Sequence, residues 1–109
     1  MMPFSTRETS EKTNVKPVSV LFDLLGRSRA VDILWYLSSG TRTFRKLRDH
    51  CSPVSPTTLD KRLKELIQGC LIEKIPEGYA LTTQGKDILE ILKPLEPWAT
   101  QWASMFEKP

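Results

Sequence analysis

The sequence contains little of what would cross-link a chain or hold a metal ion. Its 109 residues include two cysteines, Cys51 and Cys70, and a single histidine, His50. Two cysteines without a C-x-x-C motif exclude a disulfide framework, and three such residues are too few for a four-ligand zinc site within one chain. We therefore expect an apolar core to stabilise the fold, with both cysteines as small buried side chains.

Long apolar runs are also missing. The longest is far shorter than the ~20 residues that a membrane-spanning helix needs, and the N-terminus lacks the apolar stretch of a secretory signal. The sequence has no G-x-S-x-G motif, no glycine-rich phosphate-binding loop and no acid–base pair with an orienting neighbour. These absences predict a cytoplasmic protein without membrane contact that is not an enzyme and carries no cofactor or metal.

The charge is unevenly distributed along the chain. The net charge is +3 overall, but it is zero over residues 1–26, +6 over residues 27–64 and −3 over residues 65–109. A basic middle next to an acidic C-terminal part indicates a polyanionic partner for one surface of the protein. A solvated basic face without a partner is the alternative that charge alone leaves open.

The chain divides into a short arm and one domain. Residues 1–16 are polar and lack apolar periodicity, so we expect a flexible N-terminal arm. Residues 17–109 have the length of a single domain. Within it, the apolar spacing predicts a helix over residues 18–25, a second over about 29–38 and a third with Thr43 as its N-cap.

A fourth helix, over about residues 56–68, has the clearest local signals in the chain. Ser55 is a favourable N-cap, and Pro56 occupies the first helical position, where its missing N–H costs nothing. Gly69 follows the last predicted turn. One face carries an apolar stripe formed by Leu59, Leu63, Leu66 and Ile67. The pattern therefore predicts a helix packed on a core by its leucine side.

Two short apolar segments follow this helix. Residues 70–75 and 79–82 flank the turn-forming sequence Pro76-Glu77-Gly78, which predicts a β-hairpin. A helix-turn-helix followed directly by a hairpin is the order of elements in a winged helix-turn-helix, a mainly α fold with a small β-hairpin. Many such folds place the second helix of the pair in the DNA major groove.

A last helical stretch is predicted over residues 83–107. Pro94 and Pro97 interrupt it, so we expect a kink or two helices in line. Its apolar residues form two series of spacing seven, offset by three, as in a coiled-coil seam. Such a seam would be exposed in a monomer, so we predict a homodimer whose contacts come from the helices over residues 18–25 and 83–107. The predicted interface residues are Leu21, Leu24, Leu25, Ile88, Ile91, Leu95, Trp98, Trp102 and Met105.

The chain from residue 17 to residue 103 resembles the HxlR-type winged-helix transcriptional regulators of bacteria and archaea, with MarR-type regulators as more distant look-alikes. The matching segments are 23–26 (D-L-L-G), 33–37 (I-L-W-Y-L), 44–48 (F-R-K-L-R), the serine and leucines of 54–66, 71–74 (L-I-E-K), 79–85 (Y-A-L-T-T-Q-G) and Trp98. The resemblance implies a dimeric DNA-binding regulator with its terminal helices at the dimer interface.

The chain also departs from the pattern of that family. Where members usually have G-K-W, this chain reads Arg27-Ser28-Arg29, and where many members carry a cysteine near the N-terminus it has Lys16. Redox sensing through that cysteine is therefore not expected. The wing is shorter than usual, and its tip lacks arginine.

Helical spacing selects the residues that would meet DNA. On the fourth helix, Thr57, Lys61 and Lys64 point away from the leucine stripe, so hydroxyls and long cations face outward, as major-groove contacts require. Cations around the third helix suit phosphate contacts. The predicted DNA-binding residues are Arg42, Thr43, Arg45, Lys46, Ser55, Thr57, Thr58, Lys61, Arg62 and Lys64. A merely solubilising helix face is the alternative.

Taken together, the patterns predict a sequence-specific regulator that binds double-stranded DNA as a homodimer. The alternative is a winged helix used for protein–protein contact without specific DNA binding, which the short wing, with no arginine at its tip, keeps open. The sequence identifies no small-molecule effector.

Overall fold

The computed structural model describes residues 16–107, which form six helices and one hairpin. The predicted arm over residues 1–16 lies, apart from Lys16, outside the described residues. The elements are α1 (Pro17–Leu25), α2 (Ala30–Leu37), α3 (Phe44–His50), α4 (Pro56–Gln68), β1 (Ile72–Ile75), β2 (Gly78–Leu81), α5 (Thr83–Leu92) and α6 (Leu95–Ser104). The predicted winged helix-turn-helix, mainly α with a small hairpin, is confirmed.

Side-chain caps fix the starts of three helices. The Oγ1 of Thr43 accepts from the Lys46 N–H (3.2 Å) at α3, and the Oγ of Ser55 accepts from the Thr58 N–H (3.0 Å) at α4. Thr82 caps α5 in the same way. Each cap satisfies a backbone N–H that has no partner within its own helix. The local sequence therefore sets where these helices begin.

The C-terminal helical stretch is divided in two. Helix α5 ends at Leu92, and α6 begins at Leu95 with Pro94 as its N-cap and Pro97 in its first turn. Proline has no N–H for the helical ladder, so the continuous helix stops before Pro94 and restarts after it. Of the two expected outcomes, a kink or two helices, the structure shows two helices.

The hairpin is a two-stranded sheet with one isolated β-bridge at its edge. Ile72 pairs with Leu81 and Ile75 with Gly78 in antiparallel register. Arg42, just before α3, pairs with Tyr79 through two backbone hydrogen bonds of 3.0 and 2.8 Å. Gly78 has a φ of +140°, and a Cβ there would collide with the Arg42 carbonyl, so only glycine permits this approach. The wing is thereby joined to the helix-turn-helix.

One apolar core lies between α1, α2, α3, α4, the hairpin and α5. Its fully buried members include Ile33 and Leu34 of α2, Leu47 of α3, and Leu59 and Leu66 of α4. The leucine stripe of α4 thus packs inward as expected. No residue of α6 is buried.

Two expectations about burial are corrected. Cys70 is exposed rather than a buried filler, because it follows the C-terminal Gly69 of α4 in a left-handed conformation (φ 65°). Leu24, predicted at the dimer interface, is 2% exposed and belongs to the core of its own chain. Cys51 is buried as expected.

Candidate nucleic-acid interface

Arg29 hydrogen-bonds to the backbone of the turn between α3 and α4. The Nε of Arg29 donates to the Cys51 carbonyl (2.9 Å), and its Nη2 donates to the Pro53 carbonyl (2.7 Å). A guanidinium that spans two carbonyls restricts the turn and therefore the angle between the two helices. The guanidinium of Arg29 therefore points into the domain, and Arg29 stabilises the helix-turn-helix.

The outer face of α4 is open to solvent. Thr57, Lys61 and Lys64 are exposed, on the side opposite the buried leucines. Lys64 forms an ion pair with Asp60 of the preceding turn (3.0 Å). An exposed pair of this kind contributes little to stability. The face therefore presents a hydroxyl and two lysines to whatever lies over α4.

Helix α3 carries further exposed cations. Arg45 and Lys46 are exposed in its first turn, behind the capping Thr43. The Ser55 Oγ caps α4 by accepting from the Thr58 N–H, and it donates to the Thr58 Oγ1 (3.0 Å), so both hydroxyls are engaged at the helix start. Arg45 and Lys46 are thus exposed cations near the start of α3.

Arg42 is oriented by an aromatic ring. Its guanidinium carbon lies 4.7 Å from the centroid of the Tyr36 ring, and the imidazole of His50 stacks on the same ring, parallel, with the centroids 3.9 Å apart. The imidazole covers one face of Tyr36, which leaves the other face for Arg42. Within the described residues, the Nε of Arg42 is the one buried side-chain polar atom without a hydrogen-bond partner.

This stack was missed by sequence reasoning. The sequence pattern assigns no contact to Tyr36 in α2 or to His50 at the end of α3. Cation–π attraction favours a guanidinium over a tyrosine face, so Tyr36 restricts the directions that Arg42 can take. No local pattern could show it, because the three side chains come from separate elements.

Arg62 does not point to the exposed face of α4. Its Nε donates to the Ser28 carbonyl (2.7 Å), its Nη2 lies 3.2 Å from the Ser28 Oγ, and its Nη1 donates to Glu65 (2.7 Å). All three nitrogens are directed at the protein. Among the predicted DNA-binding residues, Arg62 is therefore turned towards the protein, whereas Arg45, Lys46, Thr57, Lys61 and Lys64 are exposed.

A second group of exposed side chains, which we call the apolar face, is found on α1, α5, α6 and the turn after α6. It consists of the exposed residues Val18, Phe22, Ile91, Leu95, Trp98, Trp102, Met105 and Phe106. Trp102 packs between Trp98 (centroids 5.9 Å apart) and Phe106 (4.9 Å, edge to face). Five of the predicted dimer residues belong to this face. Sequence reasoning missed Val18 and Phe22, whose helix was too short for a clear period.

The remaining predicted dimer residues lie at the edge of the apolar face. Leu21, Leu25 and Ile88 are half-buried, and Leu25 and Ile88 pack against the core of their own domain. They can contribute only part of their surface to a partner.

Burial changes the acidity of two side chains. It raises the pKa of the Cys51 thiol, with a smaller contribution from the charge of Asp32, and it raises the pKa of the Tyr79 hydroxyl. A raised thiol pKa keeps Cys51 protonated and unreactive at neutral pH.

Other kinds of site are not evident in the described part of the chain. Over residues 16–107, no group of three His, Cys, Asp or Glu side chains could hold a metal ion. None of the helices there is both long and apolar enough to cross a membrane. A cleft of about 420 Å³ lies between the turn after α2, strand β2 and helix α5, lined in part by Lys86 and Lys93. None of the residues that line this cleft belongs to α3 or α4.

Comparison with known proteins agrees with this geometry. The HxlR-like helix-turn-helix family model matches residues 24–107. The uncharacterized HTH-type transcriptional regulator MJ0925 of Methanocaldococcus jannaschii is 32% identical over 87 residues, which cover 75% of this chain and 81% of that protein. The HTH-type transcriptional regulator YodB of Bacillus subtilis is 30% identical over 88 residues, covering 74% and 79%.

Solved structures give the same result. The crystal structure of quinone-bound YodB from B. subtilis superposes with a TM-score of 0.73 at 28% identity, covering 80% of this chain and 99% of that one. A possible HxlR family transcriptional factor from Thermoplasma volcanium superposes with a TM-score of 0.70, also at 28% identity, covering 87% and 88%.

Proposed function

The chain belongs to the HxlR-like helix-turn-helix family, and from this premise we propose that it regulates transcription as a homodimer that binds specific sites on double-stranded DNA. The resemblance to that family is confirmed. Its relatives are transcriptional regulators, so the chain is a DNA-binding regulator of the same kind and not an enzyme. The finer proposal concerns which surface binds DNA and which binds the partner subunit. We also propose that the protein acts in the cytoplasm, where the DNA is.

The outer face of α4 is the observation that carries the proposal. A helix with its leucines in the core and with Thr57, Lys61 and Lys64 in solvent presents donors along one side. The major groove admits a helix, and a lysine there reaches the O6 and N7 atoms of guanine. We assign base contact to Thr57 and Lys61, in the part of a recognition helix that enters the groove first.

The cations around α3 have a different role. Arg45 and Lys46 lie on the supporting helix, and Arg42 is held beside it against Tyr36. We assign them to phosphate, which positions a protein on DNA but does not read sequence. With both subunits counted, these three cations make about six phosphate contacts, which give a slope of log K against log salt of about −5.

The apolar face supports the homodimer. It gathers eight exposed apolar side chains on α1, α5, α6 and the turn after α6, and a patch of this kind in solution marks a contact surface. A two-fold dimer presents two copies of α4, which would meet half-sites one helical turn, about 10 base pairs, or a multiple of it apart.

The division between reading and positioning can be tested with two single substitutions. Duplexes selected from a random pool provide the specific site, and a scrambled duplex provides the random one. Lys61→Ala should cost about 1–3 kcal/mol on the selected site and much less on the scrambled duplex. Arg45→Ala should weaken both alike and reduce the salt slope by about one unit for each phosphate that is no longer bound.

Lys93→Ala is the matched control. It removes the same charge from an exposed lysine that follows α5, and should leave both affinities nearly unchanged. Equal losses on both duplexes for Lys61→Ala would make Lys61 a phosphate-binding residue and refute its assignment. Salt-independent or undetectable binding by the unmodified protein would favour the protein-interaction alternative.

A further inference from the structure

A buried carboxylate lies in the middle of the proposed recognition helix. Glu65 is 9% exposed and is the one charged side chain that is buried within residues 16–107. Its Oε1 accepts from the Nη1 of Arg62 (2.7 Å) and its Oε2 from the Nη1 of Arg27 (2.7 Å). Both oxygens therefore have a charged donor, as a buried carboxylate requires.

The two arginines extend this interaction to other elements. The Nη2 of Arg27 donates to the Oδ2 of Asp23 in α1 (2.8 Å), and the hydrogen bond to Asp23 is the main cause of the raised pKa of Arg27. The Nε of Arg62 donates to the backbone of Ser28, in the loop between α1 and α2. We call the set Asp23, Arg27, Ser28, Arg62 and Glu65 the brace. It links α1, the following loop and α4.

The brace lies between two surfaces and belongs to neither. It occupies one flank of α4, whereas Lys61 faces outward. At its other end, α1 carries Val18 and Phe22 of the apolar face. The brace is thus a polar connection between the helix proposed to read DNA and a helix proposed to contact the partner subunit. Arg27 and Ser28 also fall where the chain departs from the G-K-W pattern.

Folding of α4 does not depend on the brace alone. Leu59, Leu63 and Leu66 hold the helix in the core with 1% exposure or less. Apolar contacts are non-directional and tolerate a rotation or tilt of the helix. The ion pairs at 2.7 Å are directional, because each planar guanidinium also donates to a second partner, Asp23 for Arg27 and Ser28 for Arg62. The leucines therefore attach α4 to the core, and the brace fixes the orientation of the helix.

We propose that the brace sets the half-site spacing that the dimer accepts, with Glu65 as the central positioning residue. This inference rests on the proposed function. Successive base pairs are about 3.4 Å apart along the duplex, so the separation of the two α4 helices decides which spacing fits. A brace that ties α4 to α1 ties it to the dimer axis. Without the brace, α4 can move by a fraction of a helical turn and accept neighbouring spacings.

The experiment is selection of duplexes from a random pool, followed by sequencing. The unmodified protein should enrich paired half-sites at one spacing. Glu65→Gln keeps the side-chain shape but removes the charge, and should spread the enriched sites over spacings that differ by one base pair or more, with the half-site sequence unchanged. Arg27→Met, in the loop, should give the same spread while the Arg62 pair to Glu65 remains.

Asp60→Asn is the matched control, because it breaks an exposed ion pair on the same helix and should keep the single spacing. Thermal unfolding and the solution mass establish that each variant is folded and dimeric. If Glu65→Gln does not fold, Arg27→Met decides the question.

A single unchanged spacing in a folded brace variant would overturn the inference while leaving the proposed function intact. A changed half-site sequence would overturn it too, since the brace would then act on base reading. Failure of the unmodified protein to enrich any site, or enrichment of unpaired half-sites, would overturn the proposed function or its dimeric form, and the inference with it.

Discussion

Replacing Trp98 by alanine is expected to dissociate the dimer at concentrations where the unmodified protein is paired. Trp98 is 61% exposed in the isolated chain, which is about 150 Å² of a tryptophan surface of about 250 Å². Two such side chains in a dimer offer about 300 Å², or about 7.5 kcal/mol at about 25 cal/mol per Å². If half of that surface is covered, the decrease in association free energy is about 4 kcal/mol, and association weakens about a thousandfold.

Sedimentation equilibrium at about 1 micromolar, well above the dissociation constant of a stable dimer, would measure this. The unmodified protein should show about twice its mass of 12.5 kDa, and Trp98→Ala should shift towards the single mass. Gln101→Ala changes an exposed polar residue of the same helix and should remain dimeric. A monomeric unmodified protein, or a Trp98→Ala variant with unchanged association, would refute the reasoning.

Two further predictions follow from burial and stacking. Iodoacetamide at neutral pH should modify one thiol per chain, because Cys51 is 4% exposed and burial raises its pKa. Peptide mapping should place the modification at Cys70. Labelling of both cysteines in the folded protein would contradict the structure. Tyr36→Leu should weaken DNA binding about 3- to 30-fold by releasing Arg42 from the ring, whereas Tyr36→Phe retains the aromatic face and should bind normally. If DNA titrations show the same loss of affinity for Tyr36→Leu and Tyr36→Phe, the stacking of Arg42 on the ring does not cause the loss.

The elements of the fold were predictable because their signals are local. Ser55 and Pro56 begin α4 and Gly69 follows its end, so a window of fifteen residues holds the evidence. Pro94 predicted the break between α5 and α6 for the same reason, since proline acts on the turn in which it stands. The order of these elements was then enough to identify the winged helix-turn-helix.

The candidate site was predictable only where the helix face decides it. The exposed lysines of α4 follow from the period of its leucines. Arg62 stands on the flank of that helix, where the period is ambiguous, and its direction depends on Ser28, 34 residues earlier. Glu65 and Arg27 are 38 residues apart, and their ion pair exists only once α1 and α4 are packed. The prediction for Cys70 was wrong because residue type suggested burial while the backbone turned it outward.

Helix α6 has a consequence for the lifetime of the protein. It is ten residues long, contains Pro97 and buries none of them in its own chain, and an isolated helix shorter than about 12–15 residues is marginal in water. In an unpaired chain we expect α6 to unwind much of the time. Unwound backbone is what proteases cut, so unpaired chains should be degraded faster than paired ones. The supply of this regulator would then depend on its own concentration, with newly made chains protected once they find each other.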